Sequence, residues 1–272
     1  MMIYLSKTDR PATEKYIRWA QQGLPGSKIL PYDQVIQQRD ADKVILFGIL
    51  RGTNMVYHWA QKNKIDFYFM DRPYWGESRT NPYLLRITKN SHVKKFIENR
   101  NDDRFKKYFP FKIEPWKKRG HKIVVCPPTH SMAVMFDQED WLSKTLETLR
   151  ANTDREIVVR NKGYNPDSKI DQLGRLMPGP NDNEDTTTPI NWNDTHAIVT
   201  FNSNITIEAT ARGVPVFTDS MNSCAPIAET DFTKIETPKY EDREPCYYSL
   251  AYGQFSAEEM SNGYAWKVLD ES

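Results

Sequence analysis

The spacing of apolar and polar positions divides this chain into repeats of strand, polar turn and helix, and residues 196–219, HAIVTFNSNITIEATARGVPVFTD, are the clearest instance. Residues 197–201 are a short, partly β-branched apolar run, which predicts a buried strand, and Asn202, Ser203 and Asn204 form a polar turn directly after it. Ile205, Ala209 and Arg212, with Ile207 and Ala211, then fall at helical spacing. Ser203 or Asn204 can cap the first amides, and Gly213 ends the helix ahead of Pro215 and a further strand over 214–218. Such a unit brings hydroxyls, amides and a helix start to the carboxyl end of a strand, where open α/β sheets bind anions. It reads as a phosphate or nucleotide cradle.

The same rhythm recurs along the chain. Strands are predicted over 2–6, 43–47, 65–70, 83–88, 121–126 and 157–159, and helices over 13–22, 54–63, 140–150 and 256–268. The helix over 140–150 carries Trp141, Leu142, Leu146 and Leu149 on one face. Residues 178–189 read as a polar, acidic loop and 220–248 as a long loop. Polar residues gather after the strands: Gly48 to Asn54 with Arg51 after one, Asp71, Arg72, Tyr74 and Trp75 after the next, and Arg160 and Lys162 after another. Two cations at one strand end suit a diphosphate.

Length and charge narrow the picture only slightly. A chain of 272 residues accommodates one large α/β domain or two smaller ones. With 37 basic against 36 acidic residues the net charge is +1, so any contact with nucleic acid must be a local patch. Residues 89–119 are such a patch, basic and interleaved with Phe96, Phe105, Tyr108, Phe109, Phe111 and Trp116. The alternative is a solvated linker whose aromatic side chains turn inward. No apolar run approaches the roughly 20 residues that span a bilayer, and the N-terminus has no signal-peptide core, so no membrane contact and a cytoplasmic location are expected. Cys126, Cys224 and Cys246 are scattered and odd in number, which fits reduced thiols. No His/Cys/Asp cluster has metal-ligand spacing, so no built-in metal or cofactor is expected.

Two α/β halves with polar strand-end turns suggest a ligand held in a cleft between them. The motifs CPPTHS, DWLSKTLETLR, TDREIVVRNK and VTFNSNITIEATARGVPVF of the second half resemble the donor domain of GT-B-type nucleotide-sugar glycosyltransferases, especially small ones encoded by bacteriophages that modify DNA. GILRGT, FYFMDRPYWG, YLLRITKN and LAYGQFSAEEMSNGYAW are similar to the same proteins. Capsule polysaccharide transferases and UDP-sugar epimerases share the pattern more distantly. The resemblance implies two Rossmann-like domains facing each other across a cleft: an acceptor domain over 1–118, a donor domain over 119–254, and a C-terminal helix over 255–272 packing back on the first. If the gene is phage-borne, the cytoplasm is that of an infected bacterial host.

The resemblance further implies that Asn202, Ser203, Asn204 and Thr206 bind the donor diphosphate. Glu208 would accept a hydrogen bond from a ribose or sugar hydroxyl, and Arg160 and Lys162 would neutralise the leaving group. The cosubstrate would be a nucleotide sugar, a UDP-sugar first of all. For these residues the alternatives are a plain helix cap, a surface helical carboxylate and surface cations. Asp71 is the candidate general base, because transfer to a hydroxyl requires removal of its proton; the alternative is that it caps its own turn at Arg72 or pairs with Arg86. Arg51 and Arg72 could position a phosphate, and Tyr74 and Trp75 could stack on a base or sugar of the acceptor, or else pack around Pro73. His58 and His121 fit structural positions, while His130 and His196 lie at strand-edge loops. The acceptor expected from the phage resemblance is a 5-hydroxymethylpyrimidine in double-stranded DNA, with its base flipped out. A saccharide acceptor, or a non-catalytic nucleotide-sugar-binding module, are the other readings.

Overall fold

The computed structural model describes residues 1–76, 84–94, 96–161, 169–179 and 189–271. The chain opens with strand β1 (Ile3–Lys7), helix α1 (Pro11–Gly23), β2 (Lys28–Pro31), the single turn α2 (Tyr32–Val35), β3 (Lys43–Phe47), α3 (Thr53–Asn63), β4 (Asp66–Asp71) and β5 (Leu84–Lys89). Then come α4 (Asp103–Tyr108), β6 (Lys122–Cys126), α5 (His130–Met135), α6 (Trp141–Arg150), β7 (Glu156–Val159) and the short strands β8 (Lys169–Ile170) and β9 (Leu176–Met177). β10 (Thr195–Thr200), α7 (Ile205–Ala211), β11 (Val216–Thr218), α8 (Glu244–Ala251), β12 (Gln254–Ser256), α9 (Ala257–Ser261) and α10 (Tyr264–Asp270) complete it. No helix among the described residues is long and apolar enough to cross a membrane.

These elements form two compact units. The first comprises Met1–Lys94, Ser168–Pro178 and Tyr252–Ser272. Its sheet has the order β12-β5-β4-β3-β1-β2, with β2, β1, β3 and β4 parallel and β5 antiparallel to both β4 and β12. The sheet is therefore mixed, unlike an all-parallel Rossmann sheet. Leu5, Ile45, Tyr68, Met70 and Leu85 contribute to its core, together with Ile17 of α1 and Met260 and Trp266 of the C-terminal segment.

That C-terminal segment is part of the first unit. It begins with β12 rather than at residue 255, and the single helix expected over 256–268 is two helices broken at Gly263, whose φ is +91°. Ser256 and Glu259 close a capping box at the start of α9. Trp266 Nε1 donates to Met260 O at 3.0 Å, and a side chain at Gly23 would collide with that same carbonyl. Lys43, almost fully buried, holds Asp270 at 2.9 Å.

The second unit comprises Lys95–Asp167 and Gly179–Ala251. Its four strands, in the order β11-β10-β6-β7, are all parallel, with Ile123, Val125, Ala197, Val199 and Phe217 in a core that Trp141 and Leu149 of α6 complete. The division differs from a cut after residue 118. Residues 95–118 join the second unit because Glu114 N donates to Ala211 O and Lys117 N to Gly213 O, both at 2.7 Å, and Arg104, buried, donates to Ala251 O at 2.9 Å. The hairpin β8–β9 joins the first unit: both side-chain amide atoms of Asn54 hydrogen-bond its backbone at 3.0 Å, on Gly174 O and Leu176 N. The long loop expected over 220–248 contains the start of α8, a largely buried helix whose apolar positions lack a clean 3.6-residue period.

Candidate functional site

In the second unit the chain leaves β6 through α5 and α6 to reach β7 on one side, and leaves β10 through α7 to reach β11 on the other. The order of connection reverses between β6 and β10, which is where parallel α/β sheets bind ligands at their carboxyl edge. The loops that border this point are Pro127 to Thr129 and Phe201 to Asn204. Register places Thr200 beside both Cys126 and Thr218, and Arg160 follows directly on β7, its amide bonded to Val125 O at 2.8 Å.

The Asn202-Ser203-Asn204 turn is pinned from all sides by hydroxyls and one amide. Thr200 Oγ1 donates to Cys126 O at 2.6 Å and accepts from Ser203 N at 3.4 Å. Thr218 Oγ1 donates to Phe201 O at 3.1 Å. The Ser203 carbonyl accepts from Thr206 Oγ1 and from Asn222 Nδ2, each at 3.1 Å, and Ser203 Oγ accepts from Ile205 N at 3.3 Å. Thr200, Thr206 and Thr218 have no exposed surface and Asn222 has 1%. Buried polar groups that are mutually satisfied fix a single backbone path, so this turn is rigid before any ligand arrives.

Asn202, Ser203 and Asn204 are half-buried on that turn, and Arg160 is half-buried at the neighbouring strand end. Lys162 lies outside the described residues. Two expected donor contacts are placed differently. Thr206 is buried, and its single hydroxyl proton is shared between Ser203 O at 3.1 Å and Asn222 Oδ1 at 3.0 Å, within the network that holds the turn. Glu208 pairs with Arg212 Nε at 2.9 Å, one helical turn on, and the Arg212 guanidinium covers the Trp192 ring at 5.4 Å. Asn222, Thr200 and Thr218 were not singled out in the sequence. Two threonines ending apolar strands were the available signal; nothing local marks Asn222. His196 is a strand residue whose Nε2–H donates to Ile235 O at 2.8 Å, and burial followed by nearby Arg155 holds it below the ordinary histidine pKa.

In the first unit Asp71 ends β4 with its carboxylate engaged twice, accepting from Arg72 N and from Arg86 Nη2, each at 2.8 Å. Both pairings weighed in the sequence therefore occur. Burial works to raise the Asp71 pKa, but Arg86, His92 and the Arg72 amide outweigh it and hold the carboxyl below its usual range. Arg86 is 5% exposed and reaches His92 with the same Nη2. Tyr74 and Trp75, expected to display stacking faces, are each 3% exposed, and Gln254 Oε1 of β12 accepts from Tyr74 N at 2.9 Å. The two rings lie 6.4 Å apart, and the Arg86 guanidinium covers the Tyr74 ring at 5.9 Å. Arg51 sits at φ +61° in the turn after β3, its guanidinium 3.3 Å from Asp9, while Arg72 is exposed.

Most rings of the basic, aromatic stretch are half-buried against neighbouring side chains. Phe105 and Phe109 stack on Tyr247 at 6.0 and 4.8 Å, Phe111 packs edge-on against Phe109, and Trp116 lies under the Arg243 guanidinium at 4.1 Å. Arg100, Lys106 and Lys117 pair with Glu98, Asp102 and Glu114. Phe96, 76% exposed, and the exposed Lys112, Lys118 and Arg119 remain on the surface. Among the described residues no group of three or more His, Cys, Asp or Glu side chains could hold a metal, and the three cysteines are buried free thiols.

Comparison with solved structures finds a similar fold elsewhere. KpsC of Thermosulfurimonas dismutans, as its β-Kdo 2,7 transferase, matches over 98% of this chain and 99% of its own with a TM-score of 0.50 and 13% sequence identity. The β-Kdo 2,4 transferase of the same KpsC matches over 90% of this chain and 89% of its own, with a TM-score of 0.50 and 11% identity. The likeness is one of fold. No family model matches the sequence, and no curated protein matches it either.

Proposed function

We propose that this protein is a glycosyltransferase that takes a sugar from a nucleotide-sugar donor and places it on an acceptor hydroxyl. The observation that carries the reading is the rigid polar turn at Asn202, Ser203 and Asn204, set at the point of reversed connection in an all-parallel sheet. The fold shared with two Kdo transferases over nearly the whole chain adds to it. In this proposal the donor phosphates lie against the turn, with Arg160 and Lys162 offsetting the charge that grows as the sugar–phosphate bond breaks. The acceptor oxygen forms the new bond to the anomeric carbon, the old bond's electron pair leaves with the phosphate, and the hydroxyl proton passes to a base. Asp71 is the acceptor-side carboxylate proposed for that proton. Its ion pair keeps it ionised at neutral pH, as a base must be, while lowering its basicity.

A saccharide hydroxyl is the acceptor favoured here, because most rings of the basic stretch are half-buried and engaged with neighbouring side chains and the fold is shared with Kdo transferases. A 5-hydroxymethylpyrimidine in double-stranded DNA is the second reading, favoured by the exposure of Phe96 and of the cations Lys112, Lys118 and Arg119 in the same stretch of chain. The test is a matrix of donors, UDP-sugars and an activated Kdo, against oligosaccharide acceptors and hydroxymethylated or unmodified duplexes, read by mass. A sugar-sized gain on an oligosaccharide supports the first reading and a gain confined to hydroxymethylated duplex the second. No gain, together with no nucleotide sugar that raises the melting temperature, overturns the function.

A further inference from the structure

We propose that Tyr240, Lys118 and Arg119 form a surface site of the second unit for an acidic oligosaccharide, separate from the donor turn. The choice of ligand rests on the saccharide reading above. The two places lie at opposite edges of one sheet. The donor turn follows the carboxyl end of β10, whereas residues 114 and 117 hydrogen-bond Ala211 and Gly213 ahead of β11 and lead into the start of β6. Strands of this length set the two edges roughly 15–20 Å apart.

The platform is an aromatic pair built on a buried guanidinium. Arg243, 8% exposed, donates to Thr210 O and to Glu114 O, and its guanidinium covers the Trp116 ring at 4.1 Å. Trp116 Nε1–H donates to Glu241 O at 3.1 Å, and its ring meets that of Tyr240 edge-to-face with 5.8 Å between centroids. Tyr240 is thereby oriented while 40% exposed. A ring already ordered at the surface costs little entropy to engage, and its π face accepts the C–H face of a sugar.

Charge selects the kind of sugar. Lys117 pairs with Glu114 and Lys239 with Glu229, but among the described residues no carboxylate lies within ion-pair distance of Lys118 or Arg119, both exposed. Lys118 Nζ stands 6.0 Å from the Tyr240 ring centroid, and Arg119 is the next residue. An ammonium beside an aromatic ring, with a guanidinium fork on the adjoining residue, matches a sugar that bears a carboxylate. A nucleic acid fits less well: its closely spaced phosphates call for many cations, whereas Glu241 and Asp242, both exposed, follow Tyr240 directly in the chain.

The experiment is calorimetric titration of hexagalacturonate, neutral maltohexaose and an oligothymidylate into the full chain, without nucleotide sugar, at low salt and at about 0.15 M. Expected is binding of hexagalacturonate at least about tenfold tighter than of maltohexaose, weakening as salt rises. Tyr240→Ala and the double variant Lys118→Ala with Arg119→Ala should each lose about fivefold or more, while Tyr240→Phe, which keeps the ring, stays within about twofold. Hexagalacturonate that binds no better than maltohexaose, or that binds Tyr240→Ala as tightly as the wild type, overturns the site. Oligothymidylate that binds more tightly than hexagalacturonate, and is lost in the same variants, overturns it in favour of a nucleic acid. Should Tyr240→Ala not fold, unchanged binding by the double variant overturns it instead. A wild type that transfers sugar but binds no hexagalacturonate overturns the surface site alone; one that binds it as expected, yet neither transfers sugar nor binds any nucleotide sugar, supports the site and overturns the transferase reading.

Discussion

Arg86 Nη2 lies 3.2 Å from His92 Nε2, and because a guanidinium can only donate, His92 accepts there and carries its proton on Nδ1. The tautomer follows from the partner. Protonating Nε2 would remove the acceptor and add a cation beside Arg86, so burial first and Arg86 second push the His92 pKa down to about 3.

That shift has a sign that can be measured. As pH falls below about 6.5, the unfolded chain takes up a proton that folded His92 refuses until about 3, so stability drains away across this window, by about 2 kcal/mol at pH 5 for this one group. Asp71, with its pKa lowered, adds a further loss below its ordinary range. Melting temperatures at pH 7 and pH 5 should fall more for the wild type than for His92→Gln, which has no proton to take up. Parallel slopes would contradict the assignment.

Replacing Asp71 with Asn should slow transfer by about two to four orders of magnitude if it accepts the acceptor proton. It also leaves Arg86 without its carboxylate, at a stability cost of about 1–3 kcal/mol, reduced from a fully buried pair because the Asp71 side chain is 30% exposed. A lower melting temperature with unchanged turnover would make Asp71 structural only.

Gly213 ends α7 at φ +74°, and a Cβ there would lie 2.0 Å from Pro115 O. Gly213→Ala should therefore cost more than about 2 kcal/mol, combining left-handed strain with a collision against backbone that cannot yield. Denaturant unfolding that shows under about 1 kcal/mol would mean the 114–117 segment moves freely.

Thr200→Val keeps the shape of the side chain and removes the hydroxyl that ties Cys126 O to Ser203 N. A cost of about 1–2 kcal/mol is expected from the unsatisfied carbonyl. Nucleotide affinity should drop as well, since the turn loses one of its restraints; equal affinity would show that the remaining hydrogen bonds suffice.

Local pattern made much of this readable. The run β10, turn, α7 and β11 follows from a short apolar strand, three polar residues, helical spacing and a Gly213 stop, all within one stretch of chain. The Asp71–Arg86 pair was one of the roles the charges allowed, and the register between β4 and β5 is what sets the two side by side. The last helix was readable in position but not in its break, which Gly263 makes at a left-handed turn.

What the sequence by itself determined is where strands end in polar turns, since periodicity and turn chemistry act over a few residues. Only the tertiary structure decided which ends are neighbours and which polar side chains face ligand or core. Strand order put Asn222 against Ser203 and Thr206, and packing between distant segments buried Tyr74 and Trp75. Those outcomes depend on hydrogen bonds and packing between segments far apart in the chain, and a buried polar group goes wherever its partner is.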